Sequence, residues 1–351
     1  MRESVRYLGL SLLMAGLILA GGERGSAATC PVPAREPVTV EVAKLLPEME
    51  IGVFPGRRGV ELVYGWRRPP APIRATVVIV NGRNETFVKY REIIAFLVEA
   101  GFAVYAYDHR GQGFSGRLLA DPEKGYVENF DDYAADLEYF LAHIVKADPR
   151  RCFILAHSMG GTIALLHQLR FPGRVKALAL CSPMLGFSTS PWPAFLVPPL
   201  LAMMETLGYG RDYILGGGPF QSEPYTPDND LTSDRAHYEA YQRLVREHPR
   251  LRLGAPTNHW VGCALAAMAE IQAAAGRIRV PILLLQAGLD RVVDNRAEKR
   301  FCRNCPSCRL EVLAGSAHEI LMEKPAIAAA ALKSIQEFFY QPTTAQVTPE
   351  N

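Results

Sequence analysis

The sequence has little net charge: 38 Lys and Arg against 36 Asp and Glu leave +2 over 351 residues. Such a balance creates no field for holding nucleic acid, so no nucleic-acid partner is expected. The cations are mostly Arg and are scattered rather than gathered into a stripe. Cysteine is sparse too. Seven in this length do not make a disulfide scaffold, and a chain this long buries a core without staples. No pair of histidines has a metal-site spacing such as His-Glu-x-x-His. Beyond residues 7–22 no apolar run approaches the ~20 residues that cross a bilayer. With 49% hydrophobic and 21% charged residues, disorder, a collagen-like chain and a coiled coil are excluded. The length corresponds to roughly two domains, or to one large domain carrying an insertion.

What the chain does have begins at its N-terminus. Arg2 and Arg6 precede the apolar run 7–22, and the small residues Gly25-Ser26-Ala27-Ala28 follow it. Charged start, apolar centre and small-residue end are the parts of a secretory signal cleaved after Ala28. The run is close to spanning length, so an uncleaved membrane anchor is the other reading. Residues 1–28 are therefore expected to export the chain to the periplasm or to hold it at the inner membrane.

From residue 49 the pattern reads as strands at 49–54, 60–66 and 75–80 with Pro and Gly between them. Helices and strands then alternate: helix 88–100, strand 102–107, helix 130–146, strand 152–156, helix 159–171 and strand 175–180. Continuous apolar strands are buried on both faces, as in a parallel sheet. The expected class is α/β, a doubly wound, mostly parallel sheet. The rhythm breaks at 183–262, which holds several prolines, the Gly216–Gly218 run and a helix at 234–247. It resumes with strand 280–286, helix 295–301, strand 310–313 and helix 325–339. Residues 29–182 and 263–341 are thus two parts of one core. Residues 183–262 form an inserted, mainly helical lid, and 342–351 a flexible tail.

Chemistry concentrates in Ala156-His157-Ser158-Met159-Gly160-Gly161, between a predicted strand and a predicted helix. A nucleophile on such a turn adopts strained dihedrals, and small residues two before and two after let the backbones pass. The bland role for Ser158 is a helix N-cap. A serine hydroxyl needs a base, itself oriented by an acid, in the chain order Ser, acid, His. Asp290 follows the strand 280–286 and His318 follows the next strand. Asp294 competes with Asp290 but suits an N-cap better. His109, His143, His157, His167 and His259 read as packing or hydrogen-bonding residues; His157 is expected to point away from the nucleophile. The oxyanion requires backbone donors fixed before reaction. Met159 N–H follows the nucleophile, and Arg83 N–H lies in the loop Asn81-Gly82-Arg83-Asn84-Glu85 after strand 75–80. The chemistry calls for no metal and no cofactor. In the lid, the apolar stretch 195–204 with Met203 and Met204 is the expected contact for an acyl chain.

These motifs, with Tyr107-Asp108-His109-Arg110-Gly111-Gln112-Gly113, Leu289-Asp290-Arg291 and Ala317-His318-Glu319, resemble the α/β-hydrolase superfamily. More narrowly, they resemble bacterial inner-membrane lysophospholipases and their monoacylglycerol lipase relatives. The resemblance implies an α/β-hydrolase fold and Ser158, Asp290 and His318 as nucleophile, acid and base. It also implies an ester of a single-chain lipid as substrate, met at a membrane surface. Transfer of the acyl group to another lipid, or general carboxylesterase activity, uses the same groups. The cluster Cys302-x-x-Cys305-x-x-Cys308 does not belong to the family pattern. It lacks a fourth metal ligand nearby, and one disulfide among the three is expected if the chain is exported.

Overall fold

The computed structural model describes residues 36–187 and 194–341. The expected signal or anchor at 1–28, Cys30, and the tail from 342 on lie outside the described residues. In chain order the elements are α1 (Val38–Leu45), β1 (Glu50–Pro55), β2 (Glu61–Arg67), β3 (Ala75–Val80), α2 (Arg91–Glu99) and β4 (Phe102–Tyr107). Then come α3 (Phe130–Tyr139), β5 (Cys152–His157), α4 (Met159–Arg170), β6 (Ala177–Cys181), α5 (Val197–Thr206) and α6 (Arg235–Glu247). The chain finishes with α7 (Asn258–Ala274), β7 (Ile282–Ala287), α8 (Asn295–Asn304), β8 (Cys308–Leu313) and α9 (Pro325–Tyr340).

The eight strands form one sheet in the order β1-β2-β4-β3-β5-β6-β7-β8. Pairing of β2 with β1 and with β4 is antiparallel, and every other pairing is parallel. This is the α/β-hydrolase fold. The residues of β5 and β7 alternate between two separate cores because both sheet faces are covered. Ile154, Ala156 and Leu284 pack with residues of α3, α4 and α7. Phe153, Leu155, Leu283 and Leu285 pack with residues of α1, α2 and α9. Chain order reverses about β3, with β4 on one side and β5 on the other. The carboxyl ends of β3 and β5 therefore flank a crevice at a topological switch point, where ligands of such sheets bind.

Two expected helices differ in the structure, and one further helix is present. The helix expected at 88–100 is a 3₁₀ turn, Phe87–Tyr90, followed by α2. Thr86 caps that turn by accepting from Val88 N–H, and its hydroxyl donates to Asp108 at 2.8 Å. The helix expected at 130–146 leaves α geometry after Tyr139, continues as π-helix Phe140–Val145, and stops at Lys146 in a left-handed conformation. Helix α1 was not anticipated; its apolar side, with Val42 fully buried, packs beside β1.

Within 194–262 the described residues contain no strand, only the isolated bridge of Tyr213 with Thr257 and that of Gly125 with Pro256. Helix α5 buries Leu201, while just before and just after it Phe195 is 75% and Leu207 60% exposed. Position 262, proposed as the end of the lid, falls inside the continuous helix α7. Among the described residues no helix is long and apolar enough to cross a membrane. Cys302 and Cys308 are disulfide-bonded, tying the end of α8 to the start of β8, and Cys305 between them is a buried free thiol. Closing so short a loop restricts the unfolded chain modestly. Cys302→Ser is expected to lower unfolding stability in urea by about 2 kcal/mol.

Candidate active site

Ser158 sits between β5 and α4 with φ 52° and ψ −119°, a backbone conformation that side chains rarely adopt. The turn exists because the backbone of α4 passes hard against the end of β3. A Cβ on Gly160 would lie 2.0 Å from the Val80 carbonyl oxygen. The Ser158 side chain makes no capping bond to α4, so the N-cap role does not describe it. Its Oγ instead lies 3.0 Å from His318 Nε2. On the other side of that ring, His318 Nδ1 lies 2.8 Å from Asp290 Oδ2. Three residues on separate loops, spread over 160 positions, are thus hydrogen-bonded in series.

Asp290 is held by its own turn, its Oδ1 accepting from Val292 N–H at 2.9 Å and Val293 N–H at 3.0 Å. Burial pushes its carboxyl up, but His318 and these two amides outweigh it and leave the group below its ordinary range. Asp294 is elsewhere employed: its carboxylate caps α8 by accepting from Arg296 N–H at 2.9 Å. In this arrangement Ser158 O–H donates to Nε2 and Nδ1–H donates to Asp290, the tautomer in which imidazole serves as a base. Met159 opens α4 and Arg83 follows β3, so both expected oxyanion donors border the same crevice. Neither amide makes a hydrogen bond among the described residues.

A buried polar cluster lies behind these residues. Glu85 Oε2 accepts from Gly82 N–H at 2.5 Å and from the Tyr90 hydroxyl at 2.7 Å, and lies 3.2 Å from His157 Nδ1. Lys89 Nζ bridges Glu85 at 2.7 Å and Glu319 at 2.6 Å. His157 Nε2 faces the His318 carbonyl oxygen at 3.3 Å. Both ring nitrogens of His157 thus face groups that only accept, an arrangement that favours the doubly protonated ring. Burial opposes that charge, but Glu85 beside it raises the ring's pKa above the ordinary value. Burial likewise pushes the Glu85 carboxyl up, yet Lys89 and His157 hold it well below its usual range. Two carboxylates and two cations balance. In the sequence Glu85 lies within the Asn81–Glu85 loop with no evident partner. The one available signal was Glu85 and Lys89 at the spacing of an i,i+4 pair.

Asp108, at the end of β4, accepts from Phe87 N–H and Phe114 N–H, both at 2.7 Å. It thereby fastens the segment carrying Glu85 to the Gly111-Gln112-Gly113 turn. Met203 is half exposed and Met204 partly buried on α5. Of the other histidines, His109 is buried against the Asn81 carbonyl and His167 pairs with Glu138 at 3.0 Å. His143 lies 3.1 Å from the Tyr139 carbonyl, and His259 lies 3.0 Å from the Glu128 carbonyl. Among the described residues no group of three or more His, Cys, Asp or Glu side chains is placed to hold a metal ion.

Residues 71–325 match the model of a family described as serine aminopeptidase, S33. The chain belongs to that family. It is 43% identical over 272 residues to lysophospholipase L2 of Escherichia coli (strain K12), covering 75% of this chain and 79% of that one. It is 24% identical to the human monoglyceride lipase over 291 residues, 81% of this chain and 88% of the relative. Among solved structures, a soluble variant of monoglyceride lipase from Saccharomyces cerevisiae in complex with a substrate analog superimposes with a TM-score of 0.65 at 17% identity. That superposition covers 85% of this chain and 96% of that one. The family member described here is a carboxylic ester hydrolase by this kinship.

The His157 charge has a consequence for stability. The imidazolium's contribution is complete below its unfolded pKa of about 6.5. It is lost as pH rises through the higher folded value. In urea titrations the stability difference between the parent and His157→Gln should be largest near pH 6 and shrink towards pH 9. A difference that grows with pH would contradict the assigned charge.

Proposed function

We propose that the chain cleaves the acyl ester of a single-chain lipid, a lysophospholipid or a monoacylglycerol, through an acyl-serine intermediate. One observation carries the reading: His318 bridges Ser158 and Asp290 at 3.0 and 2.8 Å. Ser158 Oγ attacks the ester carbonyl while His318 takes its proton, and Asp290 stabilises the resulting imidazolium. Charge developing on the carbonyl oxygen meets the Arg83 and Met159 amides. His318 then returns the proton to the leaving alcohol, activates a water against the acyl-serine, and Ser158 is regenerated.

The class of substrate draws on the kinship with lysophospholipase and monoglyceride lipase and on the outward side of α5. Burying an acyl chain gains about 0.8 kcal/mol per methylene, enough for one long chain to act as the main anchor. The same exposed side chains, Phe195, Leu196, Met203 and Leu207, suit a lipid surface where such substrates partition. A periplasmic or inner-membrane-associated location accords with the N-terminal pattern and with the disulfide. The family description mentions an aminopeptidase, which must hold a free α-amino group. Glu85 and Glu319 beside the triad are already engaged with Lys89 and His157, which favours the ester.

Ser158→Ala or His318→Ala should lower turnover of a monoacylglycerol by on the order of 10⁶ with the melting temperature nearly unchanged. Asp290→Asn should lose about 10⁴. Asp294→Asn should be mildly affected, and the reverse ranking of the two aspartates would reject the assignment of the acid. Lysophospholipid should be cleaved much faster than diacyl phospholipid. Replacing Met203 and Met204 with Asp should raise KM for long-chain substrates more than for short esters. Equal effects on both chain lengths would remove α5 from the acyl site.

A further inference from the structure

Arg83 brings a second group to the site besides its amide. Its guanidinium Nη2 donates to the Gly254 carbonyl at 2.5 Å, and its Cζ lies 5.4 Å from the centroid of the Trp260 ring. It lies so close to Gly125 that a Cβ there would come within 2.5 Å of Nη2. Nε is buried and makes no hydrogen bond. No carboxylate pairs with this cation among the described residues; burial pushes its pKa down to about 10, and the Tyr133 and Tyr213 hydroxyls only partly oppose that. Arg110 shows the contrast. More deeply buried still, it is matched by Asp136 through two bonds of 2.6 Å.

A partly buried cation without an anion is left uncompensated, and a guanidinium with an unused donor is shaped for an oxyanion such as phosphate. Its position is also significant. The amide of Arg83 borders the oxyanion position, and its guanidinium ends one arginine side chain away. A glycerol unit similarly separates an acyl carbonyl from a phosphate on its third carbon. We propose that the Arg83 guanidinium, set among Gly125, Gly254 and Trp260, is the subsite for the phosphodiester of a lysophospholipid head group. The assignment rests on the single-chain-lipid reading above. One residue then grips both ends of the glycerol, the carbonyl oxygen through its backbone and the phosphate through its side chain. Monoacylglycerol, lacking the phosphate, uses only the first contact.

The test compares kcat/KM for a lysophosphatidylcholine and a monoacylglycerol of the same acyl chain in the full-length parent, Arg83→Met and Arg83→Lys. The ratio of lysophospholipid to monoacylglycerol should fall roughly 10- to 100-fold in Arg83→Met, the scale of losing a buried charge-assisted hydrogen bond. Most of that fall should appear in KM. Arg83→Lys should recover part of it, and carries the comparison alone if the methionine variant does not fold. Inorganic phosphate should raise KM for lysophosphatidylcholine in the parent and not in Arg83→Met. Equal losses on both substrates overturn the proposal and make the side chain a tie between the loop and Gly254. Phosphate inhibition that vanishes in the variant while the substrate ratio holds marks a free-anion site, and also overturns it. A parent that cleaves neither lipid overturns the underlying reading and this proposal with it.

Discussion

The site depends on one close approach of two backbones. Where α4 leaves Ser158 it presses against the last residues of β3, and only a glycine at position 160 leaves room for the Val80 carbonyl. That contact does two things at once. It drives Ser158 into a conformation that lifts its hydroxyl clear of α4, and it brings the loop after β3 alongside the start of α4. Ser158 and both candidate oxyanion amides are placed by the same packing constraint. Strain of this kind costs of order 1–3 kcal/mol and persists only where the surroundings over-determine it. Here the parallel pairing of β3 with β5 does so.

Behind that turn the electrostatics are closed. Glu85, Lys89, His157 and Glu319 come from three segments of the chain and leave no net charge between them. Gly82 N–H, bound to Glu85, fixes the residue before Arg83. His157, bound to the His318 carbonyl, fixes the backbone of the base. Loops are ordinarily the mobile part of an α/β fold; these are fastened from below. The loops around Ser158 and His318 are therefore held in place by buried, mutually paired side chains.

Much of this was legible in the sequence because it is local. A small residue on each side of Ser158, apolar runs of strand length and an acid and a histidine at successive strand ends all declare themselves within a few residues. The capping role of Asp294 was legible too, since the Asp294-Asn295 start of α8 reads as a cap. The Glu85–His157 contact spans 72 positions, and no periodicity encodes which buried carboxylate meets which ring. The π-helical turn after Tyr139 was invisible for another reason: its residues, Phe140 and Leu141 buried among them, satisfy a helical pattern equally well in either geometry. The pairing within Cys302, Cys305 and Cys308 likewise needed the third dimension. Spacing allowed any of the three pairs, and the fold buries the middle thiol while joining the outer two.

The lid meets the base along a seam of main-chain bonds. Glu319 N–H donates to the Leu231 carbonyl at 2.8 Å, His318 N–H points to the Asp230 carbonyl at 3.5 Å, and the Thr232 hydroxyl donates to the Met322 carbonyl at 2.8 Å. Glu323 stitches the same edge, accepting from both Ala317 N–H and Ser233 N–H. At this end residues 230–233 do not hang free over the sheet; they are part of the mounting of the His318 loop. A motion that lifted residues 230–233 would disturb the aim of His318 as it cleared a path. The exposed apolar side chains at and beside α5 lie outside this seam.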